Sequence, residues 1–69
     1  MYVIEVEDKY YVEKVIIGTD DSSTAFVGIS EDIDYALLFD GVDGLFVTWF
    51  LQSCDEEVRF RYVEVEVDG

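Results

Sequence analysis

This chain has a single cysteine, Cys54, and no histidine. An internal disulfide is therefore impossible, and the Cys/His ligand set of a structural zinc site is missing. A chain of 69 residues buries only about 60% of the surface that its unfolded form exposes. Domains of this size often add a disulfide, a metal or oligomerisation as support. With the first two excluded, the fold has to rest on apolar burial, and self-association is the remaining support, a homodimer being its commonest form. The length corresponds to one domain over 1–69.

Apolar material is plentiful. The chain is 51% hydrophobic and 16% aromatic, which separates it from disordered acidic tails. Yet it carries 17 Asp and Glu against 4 Lys and Arg, a net charge of −13. A surface this negative favours a basic partner and repels nucleic acid and anionic membranes. Direct binding of nucleic acid needs cations that meet phosphate, and Arg59 and Arg61 are the only close pair of cations. Their expected role is to pair with acids of a neighbouring strand, such as Glu5 or Glu7, the alternative being a small contact patch for a partner. The residues Met1–Glu5 lack the basic region and apolar run of a secretory signal. No stretch approaches the roughly 18 apolar residues of a membrane span. With a lone cysteine, these features suggest a reducing cytoplasm.

Periodicity predicts an α+β domain in the order β-β-β-α-β, a mostly antiparallel sheet with one helix packed on one face. Residues 2–7 and 10–17 are rich in β-branched and aromatic side chains, with Asp8-Lys9 between them, and read as a hairpin. A two-residue turn there would set Val6 opposite Tyr11, Ile4 opposite Glu13 and Tyr2 opposite Val15. The core face would then hold Tyr2, Ile4, Val6, Tyr11, Val15 and Ile17, with Glu13 a misfit that a one-residue change of register would remove. Residues 18–23 have loop composition, and 24–29 read as a third strand. Ile33, Ala36 and Leu37 fall at helical spacing and predict one or two helical turns.

Residues 40–53 admit two readings. Asp40 as N-cap with Asp43 three residues on resembles a capping box, and Val42, Leu45, Phe46, Trp49 and Phe50 then form one apolar helical stripe. Alternatively, 40–44 is a hairpin loop between strands 35–39 and 45–50, a reading that Gly44 favours because glycine weakens a helix by about 1 kcal/mol relative to alanine. Five matches to one face favour the helix. With Val47 and Leu51 off the stripe, such a helix is apolar over much of its circumference, which implies cover on two sides, as in a dimer. Residues 58–67 read as the last strand. Val58, Phe60 and Tyr62 alternate on one phase and Val63, Val65 and Val67 on the other, so either a bulge or a change of covered face lies at Tyr62-Val63.

Tyr2-Val-Ile-Glu-Val, Lys9-Tyr-Tyr-Val12, Ala36-Leu-Leu-Phe39 and Val63-Glu-Val-Glu-Val67 resemble small uncharacterised acidic proteins from phages and prophages of Gram-positive bacteria. Those typically open with a Tyr-Val-Ile hairpin and close with a Val-Glu-Val strand. In that group the segment after the Ala-x-x-Phe motif is usually polar, whereas here it is Leu45-Phe-Val-Thr-Trp-Phe-Leu51. The resemblance implies a phage origin and action in the host cytoplasm, and it supplies no catalytic residues.

Enzyme chemistry is not expected. Without histidine, acid–base work falls to carboxylates, lysines, Cys54 or tyrosines, and the carboxylates are too numerous for any pair to stand out. The acidic neighbours of Cys54 disfavour its thiolate, so it reads as an inert thiol. Asp40-Gly41-Val42-Asp43-Gly44 lacks the ligand series of a calcium loop, and neither a metal nor a cofactor is expected. The acidic surface is the best candidate site. Glu64 and Glu66 alternate on one strand and would share a face roughly 6.7 Å apart; Glu5 and Glu7 could repeat the spacing, with Asp55, Glu56 and Glu57 at one end. Against about 3.4 Å between phosphates of a DNA strand, such rows resemble part of a phosphate array. The expected function is inhibition of a basic nucleic-acid-binding protein of the bacterial host, as an anti-CRISPR or anti-restriction protein would act. The alternative is a phage accessory or assembly protein that self-associates, its acidity serving solubility. Phe46, Trp49 and Phe50 read as core, or as an oligomer interface if they are partly exposed.

Overall fold

A computed structural model describes residues 1–18 and 25–66. Strand β1 spans Tyr2–Val6, β2 Tyr10–Ile17 and β3 Ala25–Ser30; a short 3-10 turn, Ile33–Tyr35, precedes helix α1, Asp43–Cys54, and β4 is Phe60–Glu64. The four strands form one antiparallel sheet in the order β3-β2-β1-β4, the expected β-β-β-α-β chain order. The loop expected at 18–23 lies outside the described residues beyond Gly18, as does Val67.

The first hairpin differs from the two-residue turn at Asp8-Lys9. Its turn is centred on Glu7 and Asp8, both at positive φ (55° and 57°), with the Lys9 amide donating to the Val6 carbonyl at 3.1 Å. Two left-handed central residues are the backbone of a type I′ turn, whose twist suits a hairpin. The ladder resumes with Val6 opposite Tyr10 and Glu5 opposite Tyr11, so Lys9 joins the two turn residues in a three-residue loop, and the register is one residue away from the expected one. A second irregularity follows, because β2 shifts register against β3 between Val12 and Lys14. The extra residue at this bulge is Glu13, the misfit of the sequence pattern. Together, slip and bulge put Tyr10, Val12 and Val15 on the core side in place of Tyr11, and leave Glu13 exposed.

Beyond the bulge β2 parts from β1, and residues 37–39 take its place. The Leu37 amide donates to the Val12 carbonyl at 2.9 Å, and Tyr2 and Phe39 exchange backbone hydrogen bonds of 2.9 and 2.8 Å. The other side of β1 pairs with β4 along its whole length, from Tyr2 opposite Glu64 to Val6 opposite Phe60. This unbroken register decides the phase switch in the last strand in favour of a change of covered face. Phe60 and Tyr62 pack on the helix side. Val63 pairs with Val3, which is 1% exposed on the opposite side, where Ile33, Ala36, Leu38 and Val65 lie around it.

The core between helix and sheet is Ile4, Val6, Val12 and Leu51, ringed by half-buried Phe39, Val47, Phe50, Phe60 and Tyr62. Helix α1 does not start at Asp40. Gly41 takes a left-handed φ of 61°, which turns the chain before the helix and leaves Asp40 outside it; Val42 is the N-cap and makes no side-chain cap bond. The buried face is Gly44, Thr48 and Leu51. Thr48 donates its hydroxyl to the Gly44 carbonyl at 2.7 Å. A Cβ on Gly44 would overlap the Tyr62 ring and Phe39, so this helical glycine marks where α1 rests directly on two rings.

Candidate interaction surface

Since α1 rests closely on the sheet at Gly44, part of the bulky stripe is turned outward, while Leu45 and Phe50 are half-buried. Val42, Phe46 and Trp49, at i, i+4 and i+7, are 61%, 60% and 61% exposed. The Phe46 and Trp49 rings meet edge to face, their centroids 5.9 Å apart at 89°. Of the three aromatics expected in the core, only Phe50 packs against it, half-buried. The sequence signal for the true inner face was the run Gly44, Thr48, Leu51, which a search for large apolar residues passes over.

Acidic groups sit at both ends of this ridge. Asp40 and Asp43 are exposed before and within its first turn, and Asp55, Glu56 and Glu57 are exposed after its last. The second group is held in shape. The Glu57 amide donates to Asp55 Oδ1 at 3.1 Å. Gln52 Nε2 donates to the carbonyls of Asp55 (3.0 Å) and Val58 (2.6 Å), while its Oε1 accepts from the Phe60 amide at 3.1 Å. Gln52 thus ties the acidic turn to the start of β4, a role that sequence reasoning did not assign. Glu7 joins the group from the first hairpin. Its Oε1 accepts from the Arg59 amide at 3.0 Å, and it lines a shallow depression with Gln52, Glu56 and Glu57.

The remaining acidic candidates are dispersed. Glu5 lies opposite Arg61 in the ladder and 3.7 Å from its guanidinium. Arg61 also reaches Asp8 at 3.1 Å and Arg59 reaches it at 3.3 Å, so both arginines are engaged by this end's own carboxylates. Hydrogen bonding from Arg61, aided by the charges of both arginines, holds the Asp8 carboxyl below its ordinary 3.8. Glu64 is at the far end of β4, opposite Tyr2. Tyr2 and Glu5 are three residues apart on β1, so Glu64 and Glu5 lie on opposite faces of the sheet. Glu66 falls beyond the end of β4. The structure therefore gathers Glu7, Asp55, Glu56 and Glu57, and separates them from Glu5, Glu64 and Glu66.

Beside the C-terminal end of α1 the sheet is partly uncovered. A cleft of about 400 Å³ is lined chiefly by Val6, Tyr10, Val27, Ile29, Leu51 and Phe60. Among the described residues no group of three or more acidic or cysteine side chains is placed to hold a metal ion, and no helix is long and apolar enough to cross a membrane. Compared with protein-family models, curated proteins and solved structures, the chain matches none.

Proposed function

We propose that this chain is a non-catalytic binding protein of phage type, which occupies the basic nucleic-acid-binding surface of a bacterial protein in the cytoplasm. The observation that carries this reading is the exposed Phe46–Trp49 pair bracketed by carboxylates. No cation occurs between Lys14 and Arg59, and the nearest two, Arg59 and Arg61, are engaged by Asp8 and Glu5. Exposed aromatics are the side chains that anchor interfaces, and acidic flanks steer a basic partner into register and suppress acidic ones. Recognition on this reading rests on a ridge with two acidic ends, Asp55, Glu56 and Glu57 at one of them, and not on parallel rows of carboxylates. A CRISPR effector or restriction enzyme suits the chemistry, since such proteins hold nucleic acid in strongly basic channels.

The test is capture from nuclease-treated bacterial lysate on the immobilised domain, with washes of rising salt. One basic nucleic-acid-binding protein, retained at moderate salt and displaced by added DNA, is the expected result. Retention should be lost in a Glu56→Lys, Glu57→Lys variant and, separately, in Trp49→Ala. A spread of basic proteins released together at low salt overturns the reading and leaves acidity as a solubility device. Self-association abolished by Trp49→Ala, with nothing captured, favours the accessory or assembly reading.

A further inference from the structure

The sheet ends on one side at β3, Ala25–Ser30, and this edge is chemically unlike the rest of the protein. Its sequence, Ala-Phe-Val-Gly-Ile-Ser, contains no charged residue, whereas β1 carries Glu5, β2 Glu13 and Lys14, and β4 Arg61 and Glu64. Free edges are ordinarily blunted by charge, proline, a bulge or a covering segment. The chain has no proline, the bulge lies on β2, and among the described residues β3 is paired with β2 alone. Phe26 is 69% exposed and Ile29 45%.

We propose that β3 pairs antiparallel with β3 of a second copy of this chain, about a two-fold axis at Val27, to give one continuous eight-stranded sheet. The register follows from faces. Side chains alternate along a strand, so an axis at Val27 sets Val27 against Val27 on the helix side, and sets Phe26 of each copy beside Gly28 of the other on the opposite side. An aromatic ring laid over a cross-strand glycine is a recurrent way of covering an edge glycine, and Phe26 and Gly28 provide it twice by symmetry, with the ring entering from the free side while Glu13 and Lys14 approach Gly28 from β2. The occupant follows from charge. A molecule of net charge −13 repels its own copy wherever carboxylates meet, and β3 is the strand whose own residues bring none to the contact, the nearest being Glu13 of β2, which lies against Gly28. A basic partner gains no charge complementarity at an uncharged edge. Because the two-fold axis is perpendicular to the sheet, both α1 helices stand on one face. The two apolar clefts, each lined by Val27 and Ile29, then merge into one trough between them. This inference does not depend on the function proposed for the α1 ridge.

Sedimentation equilibrium of the full chain tests it. A species of twice the 7.9 kDa chain mass is expected, and its association should tighten roughly tenfold between 0.05 and 0.5 M NaCl, as the screening length shortens. Phe26→Glu, at an exposed position that does not support the core, should abolish the dimer, while Trp49→Ala leaves it intact. Hydrogen exchange gives an independent readout: β3 amides should exchange faster on dilution, and β4 amides should not. A monomer at every salt and protein concentration overturns the proposal. So does a dimer that weakens with salt, one that survives Phe26→Glu, or one lost only in Trp49→Ala.

Discussion

The ring of Tyr2 is stacked on that of Tyr62, with centroids 4.6 Å apart and 17° between the planes. The pair closes the end of the β1–β4 ladder, and both phenols are harder to ionise than a free tyrosine. For Tyr2 the cause is Glu64, through a hydrogen bond to its carboxylate and through its charge. For Tyr62 it is burial first, then the charges of Asp43 and Asp40. The folded chain therefore keeps protons that the unfolded chain releases near pH 10.0. The stability tied to these groups is complete below that pH and lost as pH rises through the higher folded values. Urea midpoints measured from pH 8 upward should fall above about pH 10, and the fall should be shallower in Tyr2→Phe. An equal fall in both proteins would show that the Tyr2 phenol is not involved.

Gly44→Ala sets two effects against each other. Alanine is the better helix former by about 1 kcal/mol, but its methyl would enter the space of the Tyr62 ring and Phe39. Those groups are themselves packed edge to face, 6.4 Å apart, and Tyr62 is further tied by its hydroxyl to the Gly41 carbonyl at 2.7 Å. Neither can retreat without breaking a contact. Overpacking of this kind costs about 1–3 kcal/mol, so the net change should be destabilising, read as a lower urea midpoint. A more stable Gly44→Ala protein would mean that α1 shifts freely on the sheet.

Gln52→Ala should cost more than an exposed helix substitution usually does. The side chain serves the carbonyls of Asp55 and Val58 and the amide of Phe60, two of these bonds being partly buried. Leaving such groups unpaired costs about 1–3 kcal/mol. The loss should be local, appearing as faster amide exchange over residues 55–60 before the rest of the protein opens. Uniform exchange over the whole chain would show that the turn is not held by Gln52.

The architecture was legible because strand composition is dense in β-branched and aromatic residues, and because residues 40–53 hold a helical period. The details that failed were set by features with weak sequence signals. Glu7 and Asp8 adopt left-handed backbone without a glycine to announce it, and the three-residue loop that they form with Lys9 moves the hairpin register by one residue. The bulge at Glu13 then restores the alternation that a regular strand would have lost. On α1 the pattern of large apolar residues was real, but Val42, Phe46 and Trp49 of it lie on the outer face while Phe50 packs against the core. The inner face is chosen by what fits against Tyr62 and Phe39, and there Gly44 outweighs Phe46. Among the acidic candidates, the grouping of Glu7 with Asp55, Glu56 and Glu57 depended on a turn that sequence spacing does not encode, and Glu5 was removed from the site by Arg61.

Salt should raise the melting temperature, and two opposing terms decide the sign. Screening weakens the attraction of Asp8 for Arg59 and Arg61 and of Glu5 for Arg61. The two Asp8 pairs are largely exposed and only Glu5 is half-buried, and exposed pairs are worth little, about 0–1 kcal/mol each. Screening also relieves repulsion among 17 carboxylates that only 4 cations oppose, and the whole domain is small, with a radius of gyration of 11.8 Å. At 0.1 M salt the Debye length is about 10 Å, so most of that repulsion acts across distances that salt can screen. Relief of repulsion wins, and the melting temperature should climb from low salt to about 0.5 M NaCl. The Phe26→Glu variant separates this intramolecular gain from any gain through self-association. If the climb persists in that variant at low protein concentration, repulsion within one chain is its source. A melting temperature that falls with salt would mean that the arginine–carboxylate cluster at the first hairpin outweighs the rest of the surface.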